Sequence, residues 1–212
     1  MPPFTSGCRR WVLCLQPSLQ PRRTRRKKVL LSIDRIPSPV GEILLVFEGN
    51  ILRALDFHDY ETRMRRLLSL HYGAAALQPE PAPKALRDPL DRYFAGDFRA
   101  IDKIKTKTGG TEFQRQVWAA LRDIPAGETL GYGKLAVRIG RPNASRAVGA
   151  ANGANPIAIV VPCHRVIGAS AALTGYGGGL PRKVWLLDHE KPAMTRQPGL
   201  PGLGEALLSS VA

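Results

Sequence analysis

Polar and apolar residues alternate from Val29, with Leu31 and Ile33 in phase, and apolar runs continue through Glu42–Phe47 and Ile51–Phe57. Glu48-Gly49-Asn50 between the last two runs marks a hairpin, so the folded part opens with an antiparallel sheet. The period then changes. Met64, Leu67, Leu68 and His71 fall at helical spacing within Tyr60–His71, and Lys84–Phe94 reads as a second helix. Gly109-Gly110 punctuates the chain, and Thr111-Glu112-Phe113 opens a helix with Phe113, Val117, Trp118 and Leu121 on one stripe. Lys134–Ile139 is a short helix, Gly140-Arg141-Pro142 a turn, and Asn143 a cap for a helix over Ala144–Asn152. Two short helices about a tight turn make a helix-turn-helix candidate. Ile157–Val161 reads as a buried strand that stops at Pro162-Cys163.

These patterns divide the chain into a disordered basic leader (1–28), an α/β domain (29–108), a second, mainly helical unit (109–191) and a flexible tail rich in Pro and Gly (192–212). The formal charge of +14 favours a polyanionic partner, although eight of the positive charges lie in the leader, which has no acidic residue. Basicity alone does not separate nucleic acid from an anionic membrane. No apolar run approaches the length of a membrane span. Three cysteines, Cys8, Cys14 and Cys163, form neither a disulfide framework nor a zinc-finger pattern, which points to a reducing compartment, the cytoplasm.

Two segments carry candidate chemistry. In the second short helix, helical spacing sets Ala147, Val148 and Ala151 on one face and Ser145, Arg146 and Gly149 on another. A helix so stripped of bulk either packs tightly inside the fold or lies against a nucleic-acid groove with Arg146 reaching inward. The other segment is Pro162-Cys163-His164-Arg165-Val166. A free cysteine is usually a small buried hydrophobe, but positive neighbours His164 and Arg165 would lower its pKa and raise its thiolate fraction. On extended backbone, His164 would point away from the sulfur and act through a water. Its orienting carboxylate would be Glu190, at the end of the helix Lys183–Glu190.

Pro162-Cys163-His164-Arg165-Val166 resembles the active-site signature of the O6-alkylguanine-DNA alkyltransferases. The resemblance extends in order through Phe113-Gln114-x-x-Val117-Trp118, Ile124-Pro125-x-Gly127, Tyr132-Gly133-x-Leu135-Ala136 and Arg146–Pro156. It continues through Leu173-Thr174-Gly175-Tyr176 and Leu186-Leu187-x-x-Glu190, spans about 29–190, and is strongest to the stand-alone bacterial type.

The resemblance implies an α/β fold, in which a ribonuclease-H-like sheet domain precedes a winged helix-turn-helix that binds the minor groove. It implies an irreversible, single-use transfer of the alkyl group from O6-alkylguanine, and from O4-alkylthymine, in double-stranded DNA to Cys163. His164 would be the water-mediated base, Glu190 its orienter, and Asn155 the pin of the turn that positions the cysteine. Arg146 would fill the base stack while Tyr132 helps rotate the damaged nucleotide out. Ser145, Gly149 and Arg165 would also meet DNA, and Val166, Tyr176 and Gly177 would line the guanine pocket. Tyr132 or Lys183 could protonate the leaving guanine. The product thioether cannot be hydrolysed by any residue here, and neither cofactor nor metal is implied; the protein would act as a monomer.

Gly131, Gly177 and Lys191 depart from frequent family residues, which bears on substrate range. The zinc-binding cysteines and histidines of some animal relatives are not matched, and the chain is too short to be an adaptive-response regulator with a second acceptor cysteine. The rival readings are a non-catalytic lesion-binding protein, in which another residue, commonly Trp, replaces the acceptor, and a regulatory helix-turn-helix protein, which would bind one undamaged sequence tightly. A cysteine hydrolase is disfavoured, because no further segment supplies a separate catalytic histidine with its orienter.

Overall fold

A computed structural model describes residues 29–168 and 175–191. The leader, the tail, Cys8, Cys14, Leu173 and Thr174 therefore lie outside the described residues. Four strands, β1 (Val29–Ile36), β2 (Ile43–Glu48), β3 (Ile51–Phe57) and β4 (Ala75–Pro79), form a sheet in the order β3-β2-β1-β4. β1–β2 and β2–β3 are antiparallel and β4 runs parallel to β1. The expected hairpin is present, with Gly49 at φ +54 in its turn. β4 has no strong strand signature, since alanines, Gln78 and Pro79 are poor strand formers; pairing with β1 decides its state.

Alternation gives this sheet two buried faces. Leu44, Val46 and Ala54 face Met64 and Leu68 of α1 (Glu61–Tyr72), whereas Ile43, Leu45 and Phe47 face the larger core. A bulge opposite Val46/Phe47 turns both Leu52 and Leu55 toward that larger core. It continues without a break into the second half of the chain. α2 (Lys84–Phe94) contributes Leu86, Leu90 and Tyr93, and α3 (Glu112–Arg122) contributes Val117, Trp118 and Leu121. Thr111 and Gln114 close a reciprocal capping box at the start of α3.

α4 (Tyr132–Arg138) and α5 (Ser145–Gly153), joined through Gly140 at φ +71, form the expected helix-turn-helix, and α3 packs on both. Beside it β5 (Leu130–Gly131) pairs in parallel with β6 (Val166–Ile167), and α6 (Leu180–His189) follows. Two local expectations fail. Ala144, not Asn143, is the residue before α5, without a side-chain cap, and the buried face of α5 is Val148, Ala151 and Asn152 while Ala147 is exposed.

Ile157–Val161 is buried as expected but is not a strand. Within the run only Ile157 makes a bridge, to Leu55 on the outer edge of β3, after which the chain turns through Ala158–Val160 with Ile159 at φ +66. The apolar run therefore reports depth rather than strand geometry, because a tight turn can be buried when a side chain satisfies its backbone groups. Here Asn155 does so, its Oδ1 accepting from Ile157 N–H (3.0 Å) and its Nδ2 donating to the carbonyls of Val161 (2.8 Å) and Ile157 (3.2 Å).

Candidate active site

The Asn155 turn delivers Cys163 to a short 3-10 turn, Cys163–Arg165, instead of extended backbone. Asn152 of α5 adds a bond from Nδ2 to the Cys163 carbonyl at 3.4 Å. In that turn His164 and Arg165 both point into the protein and converge on Glu190, the residue that ends α6. His164 Nε2 lies 3.0 Å from Glu190 Oε1. Arg165 donates from Nε to Oε2 and from Nη2 to Oε1, both at 2.8 Å, and from Nη1 to the Ile124 carbonyl at 2.5 Å.

This geometry corrects two expectations. Arg165 cannot serve as a DNA contact, since it is buried and its guanidinium is spent on Glu190 and Ile124. Nor does the surrounding positive charge lower the cysteine pKa. Burial pushes the thiol up, outweighing the hydrogen bonding of Asn155 and the positive charges of Arg63 and Lys183. Cys163 therefore rests as a thiol, and acting as a nucleophile would require a base to take its proton.

His164 can supply that base. Burial holds its pKa below the ordinary histidine value, against the opposing pull of Glu190, so the ring is neutral at pH 7. A carboxylate only accepts, so Nε2 carries the ring proton and Nδ1 keeps a lone pair. Nδ1 is buried and has no hydrogen-bond partner among the described residues. Glu190 remains ionised: its bonds to His164 and Arg165 overcome burial and hold its pKa far below the usual carboxylate range.

Around this relay, Lys183 is fully buried and its Nζ donates to the Val166 carbonyl at 2.7 Å; burial depresses its pKa. The Tyr176 ring meets His164 edge-on, with centroids 6.5 Å apart, and its hydroxyl is buried without a partner among the described residues. Gly177 and Gly178 lie against the other half of the chain. A Cβ on Gly177 would stand 2.6 Å from the Arg63 guanidinium, and one on Gly178 would overlap the Phe57 ring.

Next to the relay, an open groove of about 810 Å³ is lined by residues including Tyr132, Lys134, Ser145, Arg146, Gly149 and Ile167. Arg146 and Lys134 are exposed, and no acidic residue lines the groove among the described residues. A Cβ on Gly149 would make only an ordinary 3.8 Å contact with the Tyr132 ring. Packing within the chain therefore does not demand this glycine, although in mid-helix it costs about 1 kcal/mol relative to alanine.

Family models describe both halves of the chain: "6-O-methylguanine DNA methyltransferase, ribonuclease-like domain" matches residues 34–108, and the DNA binding domain of the same family matches 112–192. The chain belongs to this family. The methylated-DNA–protein-cysteine methyltransferase of Salmonella typhimurium is 52% identical over 160 residues, covering 74% of this chain and 94% of that protein. The one from Mycolicibacterium paratuberculosis is 62% identical over 165 residues, covering 76% and 93%. Among solved structures, Mycobacterium tuberculosis OGT in complex with DNA is similar with a TM-score of 0.63 and 43% identity, over 78% of this chain and 96% of that one.

Within this methyltransferase fold, Cys163, His164, Glu190, Asn155, Lys183, Val166 and Tyr176 cluster at the buried relay, while Tyr132, Arg146, Ser145 and Gly149 share the open groove. Sequence reasoning missed three groups from the first half of the chain and one from α5. Arg63 of α1 pairs with buried Asp56 at 2.5 Å and donates to the carbonyls of Gly153 (2.8 Å) and Asn155 (3.0 Å), so it braces the turn before the cysteine. Burial raises the Asp56 pKa to about 6 despite Arg63. Tyr93 of α2 donates to Glu190, and Asn152 had only its place in a matched motif to announce it. Arg63 and Tyr93 gave no signal because each lies on an amphipathic helix whose partner surface becomes visible only in the folded molecule.

Proposed function

We propose that this chain repairs DNA by moving the alkyl group of O6-alkylguanine, and of O4-alkylthymine, irreversibly onto Cys163. The carrying observation is a buried thiol beside a neutral histidine whose Nε2 is held by an ionised glutamate, next to an open basic groove. The rival readings fit less well. A lesion binder has no use for a base relay at an acceptor cysteine, and an undamaged operator would need no buried nucleophile.

In the step itself, the Cys163 sulfur attacks the alkyl carbon while the bond from that carbon to O6 breaks. The thiol proton passes to Nδ1 of His164 through a water, and Glu190 stabilises the resulting imidazolium. Arg165, placed on Glu190, keeps that carboxylate ionised and fixed instead of meeting DNA. The guanine leaves with negative charge on O6 and is neutralised by Tyr132, which stands in the groove through which the base must pass. Lys183 steadies charge on the sulfur and fixes β6 through Val166. Val166 and Tyr176 form walls of the base pocket, with Gly177 behind them against Arg63.

On the DNA side, Arg146 occupies the place of the extruded nucleotide, and Ser145 and Gly149 allow α5 to lie close to the backbone. Residues 29–108 then act as the supporting domain and 109–191 as the one that meets DNA and accepts the alkyl group. Each relay group comes from one chain, which fits action as a monomer. No helix among the described residues is long and apolar enough to cross a membrane. A thiol that must stay reduced fits the cytoplasm.

The test is intact-protein mass after exposure to duplex DNA carrying O6-methylguanine. Wild-type protein gains one methyl group, mapped to Cys163, and Cys163→Ala gains none while still binding the duplex. Methylation mapped to Cys8 or Cys14 would overturn the assignment.

A further inference from the structure

Glu190 Oε1 takes three donors, His164 Nε2 at 3.0 Å, Arg165 Nη2 at 2.8 Å and the Tyr93 hydroxyl at 2.7 Å. The first two belong to the cysteine turn; the third comes from α2, in the other half of the chain. We infer that Tyr93 is a positioning residue for the alkyl-transfer relay, its phenol fixing and partly neutralising the Glu190 oxygen that holds His164. The inference rests on the reading of His164 as the base.

Tyr93 is placed for this and for little else. It is fully buried, and its ring meets Phe94, Phe98 and His189 edge-on with centroids 5.3–5.9 Å apart. His189 Nε2 lies 3.0 Å from the Tyr93 carbonyl, so the residue just before Glu190 is tied to the backbone of α2 as well. A phenylalanine would make the same ring contacts; the hydroxyl is engaged by Glu190. Burial and the neighbouring Glu190 charge push the phenol pKa well above its ordinary value, so it remains a donor at any pH where the protein works.

The consequence is electrostatic. Glu190 faces Arg165, His164 and Tyr93, and His164 also feels the positive charges of Arg165 and Lys183. Every donor on Oε1 reduces the pull of the carboxylate on the imidazolium. Loss of the phenol leaves more negative charge uncompensated, so His164 takes up a proton at higher pH and the carboxylate loses one of its anchors. Tyr93 thus sets both the angle and the basicity of a base it does not touch.

The experiment measures single-turnover methyl transfer from O6-methylguanine duplex between pH 5.5 and 9, with DNA affinity and melting temperature alongside. Four proteins are compared: wild type, Tyr93→Phe, Phe94→Leu as a packing control on the same helix, and protein carrying 3-fluorotyrosine at position 93. Tyr93→Phe should transfer about tenfold more slowly, consistent with loss of one hydrogen bond to a charged group. Its acid limb should move to higher pH while DNA affinity stays within about twofold. Fluorotyrosine is a stronger donor and should move the limb the other way, which keeps the test open if the phenylalanine variant folds poorly. Phe94→Leu should lower the melting temperature and leave the limb in place. An acid limb unmoved by Tyr93→Phe and by fluorotyrosine, or moved equally by Phe94→Leu, overturns the inference. Absence of methyl on Cys163 in the wild type would instead sink the proposed function.

Discussion

Replacing Glu190 with glutamine keeps the shape of the side chain and removes its charge. The carboxylate receives four hydrogen bonds, from Tyr93, from His164 and twice from Arg165, all in a buried setting. An amide cannot accept at both ends, so one donor must face its NH2 group, and the buried guanidinium loses its counter-ion. Removing one partner of a buried pair costs about 3–5 kcal/mol, a large part of the roughly 5–15 kcal/mol that holds a domain folded. At about 2–4 °C per kcal/mol for a chain of this size, the melting temperature should fall by about 6–20 °C.

The difference should also depend on pH, with a definite sign. Glu190 is held well below its ordinary value of 4.5 by His164 and Arg165. A carboxylate with a depressed folded pKa contributes stability that is fully present above the unfolded value and disappears as pH falls through the folded one. The advantage of wild type over Glu190→Gln should therefore be constant near neutrality and shrink below about pH 4.5. Equilibrium denaturant unfolding of both proteins from pH 7 to 3 reads this, since groups remote from Glu190 cancel. His164, whose pKa Glu190 pulls upward, adds to the wild-type advantage as it protonates and so does not mimic the loss expected below about pH 4.5. A difference that stays flat across that range, or a variant as stable as wild type at pH 7, would show that the Glu190 charge does not hold the site together.

Arg146→Ala should slow repair of duplex DNA about tenfold or more yet leave reaction with free O6-benzylguanine nearly unchanged, because only the duplex needs a group to fill the stack; equal losses on both substrates would place Arg146 in folding or chemistry. Gly178→Ala forces a methyl into the Phe57 ring. It should cost about 1–3 kcal/mol, measured as a lower melting temperature, and an unchanged melt would mean that the 176–179 loop moves off Phe57 freely.

The helices and the hairpin were legible because each buries one periodic face: the stripe of α3 and the pattern at Lys84–Phe94 match the buried residues closely. β4 was not, because its residues pair without a propensity of their own. The run Ile157–Val161 misled in a specific way. Continuous apolar residues signal burial, and the geometry was set by Asn155, a single polar side chain ahead of the run. At the site, the roles expected of Cys163, His164 and Glu190 were argued from residue chemistry and sharpened by the matched signature, whereas their proximity is set by the fold. Arg165 was misplaced because charge in a sequence suggests exposure, whereas here a buried acceptor was waiting 25 residues away.

That misplacement has a functional consequence. The basic residue two positions after Cys163 is turned inward onto Glu190, whereas the basic residues that line the open groove, Arg146 and Lys134, belong to the helix-turn-helix. On the proposed function, phosphate attraction and alkyl transfer fall to separate sets of side chains, one solvated and salt-sensitive, the other buried and shielded from salt. Burial also keeps the thiol protonated, which makes it a poor target for stray electrophiles until a base draws off its proton. For a protein whose thioether product cannot be reversed, a nucleophile quiet at rest and, as proposed, activated through His164 is worth more than a standing thiolate, and the fold brings Cys163, His164, Glu190 and Tyr93 together from both halves of the chain.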